Sequence, residues 1–292
     1  MSSWPPSTTR TSPSSPSPVE RAADEEDTAD TVVCMTDTRP GELVHLGVAA
    51  GVATLTLDSP ANRNALSTQL RRELLAGLDR AIADDEVRVV VLSHTGRVFC
   101  SGMDIKEARG ADAAGQGINE FPAILERIWT SPKPVVARIA GPARAGGVGL
   151  VAACDIAVAA EDATFAFSEV RIGVVPAVIS VTVLPRLLPR AAHELFLTGE
   201  TFDANRAAEI GLVNSAVPGF DLDAAVHRYT EMLRHGAPGA LAATKELLRG
   251  DGGMGERFAA MQELSATFFA GDEGQEGMRA FAEKRPPAWA AD

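Results

Sequence analysis

Residues Ile139–Asp155 read IAGPARAGGVGLVAACD, and the fold turns on how this stretch is read. It opens as the end of an apolar strand, breaks at Gly141-Pro142, and passes through Gly146, Gly147 and Gly149 into the apolar run Leu150–Ala153. Strand, glycine turn and buried helix together aim backbone N–H groups at a ligand. The first N–H groups of a helix lack internal acceptors, and the helix dipole adds partial positive charge there. Glycine lets a substrate oxygen approach that backbone closely. Such a turn serves a phosphate, an oxyanion that forms during a reaction, or packing alone, and this stretch by itself leaves the three open.

Working upstream, Val135–Ile139 supplies the strand that enters the turn, and a helix from about Glu120 to Trp129 ends before Ser131-Pro132. Before it lie a glycine break in Thr95–Lys106, TGRVFCSGMDIK, and a surface loop over residues 108 to 117. Val89–Leu92 is a short, wholly apolar run, the pattern of a strand covered on both faces. Leu70, Leu74, Leu75, Leu78 and Ile82 share one helical face behind a capping Ser67. Leu43–Leu46 and Val52–Leu57 read as a hairpin about Ala50-Gly51. Downstream, short strands at Ile156–Ala159 and Thr164–Phe167 precede Glu169, and helices are expected from about 180 onward. The face Leu222, Ala225, Val226, Tyr229, Met232 and Leu233 is one; Pro238 opens another that carries Leu241, Leu247 and Leu248. The last holds Phe258, Met261, Leu264, Phe268, Phe269, Met278 and Phe281, apolar surface that either packs back on the domain or forms a subunit interface.

Residues 1–36 are different material. SSWPPSTTRTSPSSPSP and the acidic ADEEDTAD hold too few apolar groups to offset ordering entropy, so this segment is expected to be disordered. Met35 opens a stretch that reads as an ordinary protein start, with the first 34 residues as an extension. The expected division is therefore a tail over 1–36, a core over 37–220 and a helical region over 221–292. The whole chain of 292 residues is 46% apolar with a net charge of −12, which argues against nucleic acid or an anionic membrane as partner. No apolar run is long enough to span a bilayer. Cys34, Cys100 and Cys154 fit neither a disulfide framework nor a zinc site, and read as idle thiols of a cytoplasmic protein. His45, His94, His193, His227 and His235 are scattered, so no metal is expected.

Four stretches in order, SPANRNALS, GRVFCSGMDIKEA, IAGPARAGGVGL…CDIAVA with FSEVRIGVVP, and EGMRAFAEKRPP, resemble the crotonase, or enoyl-CoA hydratase/isomerase, family over Val44 to Pro287. The resemblance implies an α/β fold, a ββα spiral core followed by a C-terminal helical trimerisation region. It implies an acyl-CoA thioester as substrate, no separate cofactor, and a homotrimer or hexamer. It also implies an enolate held by the backbone amides of Met103 and Gly146, because fixed amides in a dry site stabilise charge that develops in the transition state. The CoA moiety is then expected at Asn62, Arg63 and Ala65, at Ser101, Gly102, Asp104, Ile105 and Lys106, and beside Gly147 and Gly149. Lys284, with Arg285, is expected to reach a neighbouring subunit's CoA.

Well-known hydratases of this family carry two glutamates, and here the first position is Gly149. The second is Glu169, whose apolar neighbours Phe165, Phe167, Val170, Ile172 and Val174 are of the kind that raise a carboxyl pKa, as acid–base work at neutral pH requires. One glutamate suffices to move a proton between two carbons of a double-bond isomerase, and for syn hydration if one water supplies both hydroxyl and proton. The pattern around Gly149 and PAVIS is similar to bacterial methylglutaconyl-CoA hydratase-like members, which favours hydration of a 2-enoyl-CoA. Glu120 and Glu126 are the candidates for a replacement carboxylate. Arg144 either contacts a carboxylate on the acyl group or is a packing residue. Two rivals stand beside this reading. One is a dinucleotide fingerprint, Gly147-x-Gly149-x-x-Ala152, disfavoured by the Gly-Pro break and the missing leading βαβ unit. The other is an acyl-CoA binder without catalysis.

Overall fold

Apolar runs of five or six residues alternating with amphipathic helices dictate a sheet covered by helices. A computed structural model describes residues 35–36, 41–108, 120–249 and 253–290. Strands β1 (Met35–Thr36), β2 (Val44–Ala49) and β3 (Val52–Leu57) form an antiparallel meander. Ala50 and Gly51 both take positive φ in the β2–β3 turn, the two-residue geometry that matches strand twist. Helix α1 (Thr68–Ala83) starts where Ser67 accepts a hydrogen bond from the Leu70 amide, and it buries Leu70, Leu74 and Leu78. Strand β4 (Val89–His94) follows, buried along its whole length.

Next come α2 (Ile105–Ala108), α3 (Glu120–Thr130), β5 (Val135–Ile139), β6 (Ala143–Arg144) and α4 (Gly146–Ala153). They lead to β7 (Ile156–Ala160), β8 (Thr164–Ala166), a 3-10 turn at Ser168–Ile172, α5 (Ala177–Val183), α6 (Pro189–Thr198), β9 (Phe202–Asp203), α7 (Ala204–Glu209) and β10 (Ser215–Val217). The chain finishes in α8 (Leu222–Arg234), α9 (Pro238–Arg249), α10 (Met254–Ala270) and α11 (Asp272–Glu283).

The large sheet runs β1-β2-β3-β4-β5-β7-β10, parallel from β3 onward. A second, smaller sheet places β8 between β6 and β9. Two isolated bridges extend it, Leu66 with Met103 and Cys100 with Ala143. Successive passes of the chain therefore lay Leu66, the Cys100–Met103 turn, Ala143 and Phe165 side by side. That staircase fixes the site, because Met103, Gly146 and Glu169 each lie within a few residues of one of its steps.

Several boundaries differ from the sequence expectation. Met35–Thr36, assigned to the tail, pair with Gly47 and Val48; residues 1–34 and most of the 108–117 loop lie outside the described residues. Helices dominate after 180 as expected, with β9 and β10 as short interruptions; runs of two and three residues are too short to show a period. Met232, Leu247 and Leu248, read on apolar helix faces, are exposed, while Phe258 packs in the core and Met278 is buried. Helix α9 is held instead by Lys245, whose Nζ donates to the Ile128 and Lys133 carbonyls and pairs with Asp155 at 2.6 Å. A buried ammonium needs such a full set of acceptors. Cys100 and Cys154 are buried free thiols, and burial pushes both up to about 12.

Candidate active site

A cavity of about 560 Å³ opens where the small sheet meets α4, α5 and the C-terminal helices. Its polar wall is built from two turns. In the first, Ser59–Asn64, Arg63 and Asn64 adopt left-handed backbone, and the Asn64 side chain ties the loop by accepting from the Ser59 amide and donating to the Thr95 and Val98 carbonyls. In the second, Gly102 sits at φ +89°, where only glycine is unstrained. The turns are stitched together: the Ser101 amide donates to the Arg63 carbonyl, and Asn62 donates to Asp104 at 2.7 Å.

The Gly102 turn lies directly against the start of α4, so that a Cβ on Gly102 would stand 3.5 Å from the Gly146 nitrogen. Met103 and Gly146 both line the cavity, and neither backbone N–H donates to another described residue. Gly146 is the first residue of α4, so its N–H has no acceptor within the helix, and the dipole adds to its positive character. Before it, Ala145 is held at φ 49°, ψ −117°, a region that side chains other than glycine's avoid. Such strain persists where surrounding structure imposes it, and here the Ala145 amide is fixed on the Ala166 carbonyl. Ala145→Gly is expected to raise the unfolding free energy by about 1 kcal/mol, the strain released less glycine's added chain entropy. A urea titration reads this, and an unchanged or lower midpoint would show that the turn is not strained.

Glu169 faces the same cavity from the Ser168–Ile172 turn. Its Oε2 is shut off from solvent and has no hydrogen-bond partner among the described residues. Burial pushes this carboxyl up to about 7. That is the range in which a carboxylate both takes and returns protons at neutral pH. Helix α11 packs tightly over the turn, since a Cβ on Gly277 would lie only 2.2 Å from the Ile172 carbonyl oxygen.

Of the residues singled out from sequence, Asn62, Arg63, Ala65, Ser101, Met103, Asp104, Ile105, Lys106, Gly146 and Glu169 converge on the cavity; Gly102, Gly147, Gly149 and Lys284 do not line it. Gly102 supports the turn from behind. A Cβ on Gly147 would meet the Cys100 carbonyl oxygen at 2.5 Å, and one on Gly149 the Ile179 Cγ2 at 2.6 Å, so both glycines serve helix packing. Lys284 terminates α11 in left-handed backbone, and it is Arg285 that lines this chain's own cavity, its guanidinium held by Glu276 and Glu283.

Neither substitute carboxylate reaches the site. Glu120 is bound by Arg71 and Arg72, and Glu126 is absent from the lining. Arg144 does line the cavity, and its guanidinium is anchored on the Ala143 and Thr164 carbonyls and the Thr164 hydroxyl. The position of the missing first glutamate is occupied by Ile179 and Phe121, which sequence reasoning did not connect to Gly149 because they arrive from α5 and α3. Among the described residues no cluster of three metal-capable side chains occurs, and no helix is long and apolar enough to cross a membrane.

Residues 47–292 match the enoyl-CoA hydratase/isomerase family. The chain belongs to that family. It has the crotonase fold: an enoyl-CoA hydratase crystal structure from Mycobacterium avium superposes with a TM-score of 0.77 at 48% identity, covering 85% of this chain and 99% of that one. Among curated relatives, the 2,3-dehydroadipyl-CoA hydratase of Escherichia coli is 32% identical over 81% of this chain and 94% of its own length. The carnitinyl-CoA dehydratase of Salmonella typhi is 33% identical over 85% and 98%. These two family members are equally similar to this chain and differ in the acyl group that they are named for, so similarity of this degree does not select the acyl chain.

Proposed function

We propose that this family member hydrates a 2-enoyl-CoA, with the Met103 and Gly146 amides holding the enolate oxygen and Glu169 as the single acid–base group. The observation that carries this reading is the buried Glu169 Oε2, unpartnered among the described residues, in the same cavity as two amides that donate to no described residue. In the forward direction Glu169 takes a proton from water as oxygen attacks C3. Negative charge moves onto the thioester oxygen between the two amides, and the proton is delivered to C2. Asn62, Arg63, Ala65, Ser101, Asp104, Ile105 and Lys106 form the entrance at which the CoA moiety sits in this reading, with Arg285 as a further cation on the rim. CoA enters as part of the substrate, and the reaction asks for no cofactor.

One observation favours a second reading. Ile179 and Phe121 line the cavity and crowd Gly149, where a polar group could hold a water, and a dry site suits transfer of a proton between C2 and C4 of a 3-enoyl-CoA. Incubation with 2-enoyl and 3-enoyl thioesters of varied length, with products identified by mass, separates the two. A gain of 18 mass units from a 2-enoyl substrate supports hydration; conversion of a 3-enoyl substrate at constant mass supports isomerisation. Tight acyl-CoA binding with neither product would make the chain a binder. Assembly into trimers or hexamers, in a cytoplasmic setting, belongs to the same proposal; exposed Met232, Leu247 and Leu248 supply apolar surface for it, and sedimentation reads the mass.

A further inference from the structure

We infer that Arg71 is a positioning residue for the pair of amides, a role that rests on the reading of Met103 and Gly146 as an oxyanion site. Arg71 stands on the apolar face of α1, 2% exposed, a setting in which a charge needs hydrogen-bonding partners to offset its lost hydration. Its Nη1 donates to the Leu66 carbonyl at 2.5 Å, its Nη2 to the Thr68 hydroxyl at 3.1 Å, and its Nε to Glu120 at 3.3 Å.

Leu66 touches both halves of the site. Its amide donates to the Gly102 carbonyl at 2.8 Å, which sets the peptide preceding Met103, and its Cδ1 lies 2.9 Å from where a Cβ on Gly146 would stand. On the other side of Met103, Glu107 in α2 accepts from both the amide and the hydroxyl of Thr68. The hydrogen bonds therefore close a ring: Arg71 to Leu66, Leu66 to Gly102, then through Met103 to Glu107, Thr68 and back to Arg71. Met103 lies inside this ring, and the Leu66 side chain braces Gly146 from the same point. A small misplacement of fixed dipoles lowers their stabilisation of developing charge without removing the binding surface. Arg71 thus acts through Leu66, and touches no substrate atom.

The test uses the full chain and butanoyl-CoA labelled with ¹³C at the thioester carbonyl. This saturated thioester has no double bond to react, and its carbonyl stretch falls in frequency when the two amides polarise it. Wild type is expected to show the lowered stretch, and Arg71→Met to lose most of it. In the same variant kcat with a reacting enoyl-CoA should fall by roughly tenfold, a fraction of the 10²–10³ that loss of a whole donor costs, with KM little changed. If Arg71→Met does not fold, Arg71→Lys takes its place; a shorter side chain without the planar fork does not reproduce the paired Nη1 and Nη2 contacts to Leu66 and Thr68, so a reduced carbonyl shift and reduced kcat are again expected. A folded Arg71 variant with the full wild-type carbonyl shift and kcat overturns the proposal. A wild-type enzyme that binds butanoyl-CoA with no carbonyl shift overturns the oxyanion reading itself, and the role of Arg71 with it.

Discussion

Glu169→Gln is expected to lower turnover of an enoyl-CoA by 10²–10⁴, the worth of positioned acid–base catalysis, while acyl-CoA affinity stays close to wild type. Glutamine keeps the shape and removes the proton transfer, and among the described residues the other carboxylate of the cavity lining is Asp104, which is tied to Asn62 and the Lys106 amide. The wild-type profile of kcat/KM should rise with pH to a plateau governed by a group near 7, because burial raises Glu169 to about that value and only its ionised form accepts a proton from water. Stability carries the opposite sign. A carboxyl raised from 4.5 to about 7 by folding favours the folded state while protonated, and that contribution is lost as pH rises from about 4.5 through 7. Melting curves at pH 5 and pH 8 should therefore show wild type losing more stability than Glu169→Gln over that interval. Turnover that survives the substitution unchanged would remove Glu169 from the mechanism.

Gly149→Glu, which recreates the family's two-glutamate pattern in sequence, is expected to destabilise the fold rather than improve catalysis. The new Cβ alone would stand 2.6 Å from Ile179 Cγ2 and 3.1 Å from Ile179 Cβ. A β-branched side chain on a packed helix has no flexible end to move aside, so α5 must shift, at a cost of about 1–3 kcal/mol before the carboxylate is considered. Burying that carboxylate beside Phe121 and Ile179 adds a further penalty. Gly149→Glu combined with Ile179→Ala returns the space and should recover part of the lost melting temperature. If the single variant melts like wild type and hydrates crotonyl-type substrates faster, then Ile179 is not the barrier that its contacts make it.

How much of this was legible in the sequence follows from the range of the forces involved. Local chemistry wrote the β2–β3 hairpin at Ala50-Gly51, the Ser67 cap, the buried β4 run and the glycine turn before α4, since each is set by neighbours a few residues apart. The order of the four motifs then carried the family, and with it the convergence of Met103, Gly146 and Glu169. What the sequence could not hold was the identity of neighbours that arrive from elsewhere in the chain. Gly149 reads as a lost carboxylate, and only the approach of α5 shows that Ile179 has taken its place. Arg144 leaves two roles open in sequence, and its anchor, Thr164, lies twenty residues on. Arg71 does leave a trace, a charge at helical spacing from Leu74 and Leu78, but its acceptors depend on the backbone path of Leu66 and the placing of Glu120. Short-range propensity determined the elements and the turn chemistry; long-range packing decided which groups share the cavity, which glycines merely admit a neighbour, and which charges are already spent.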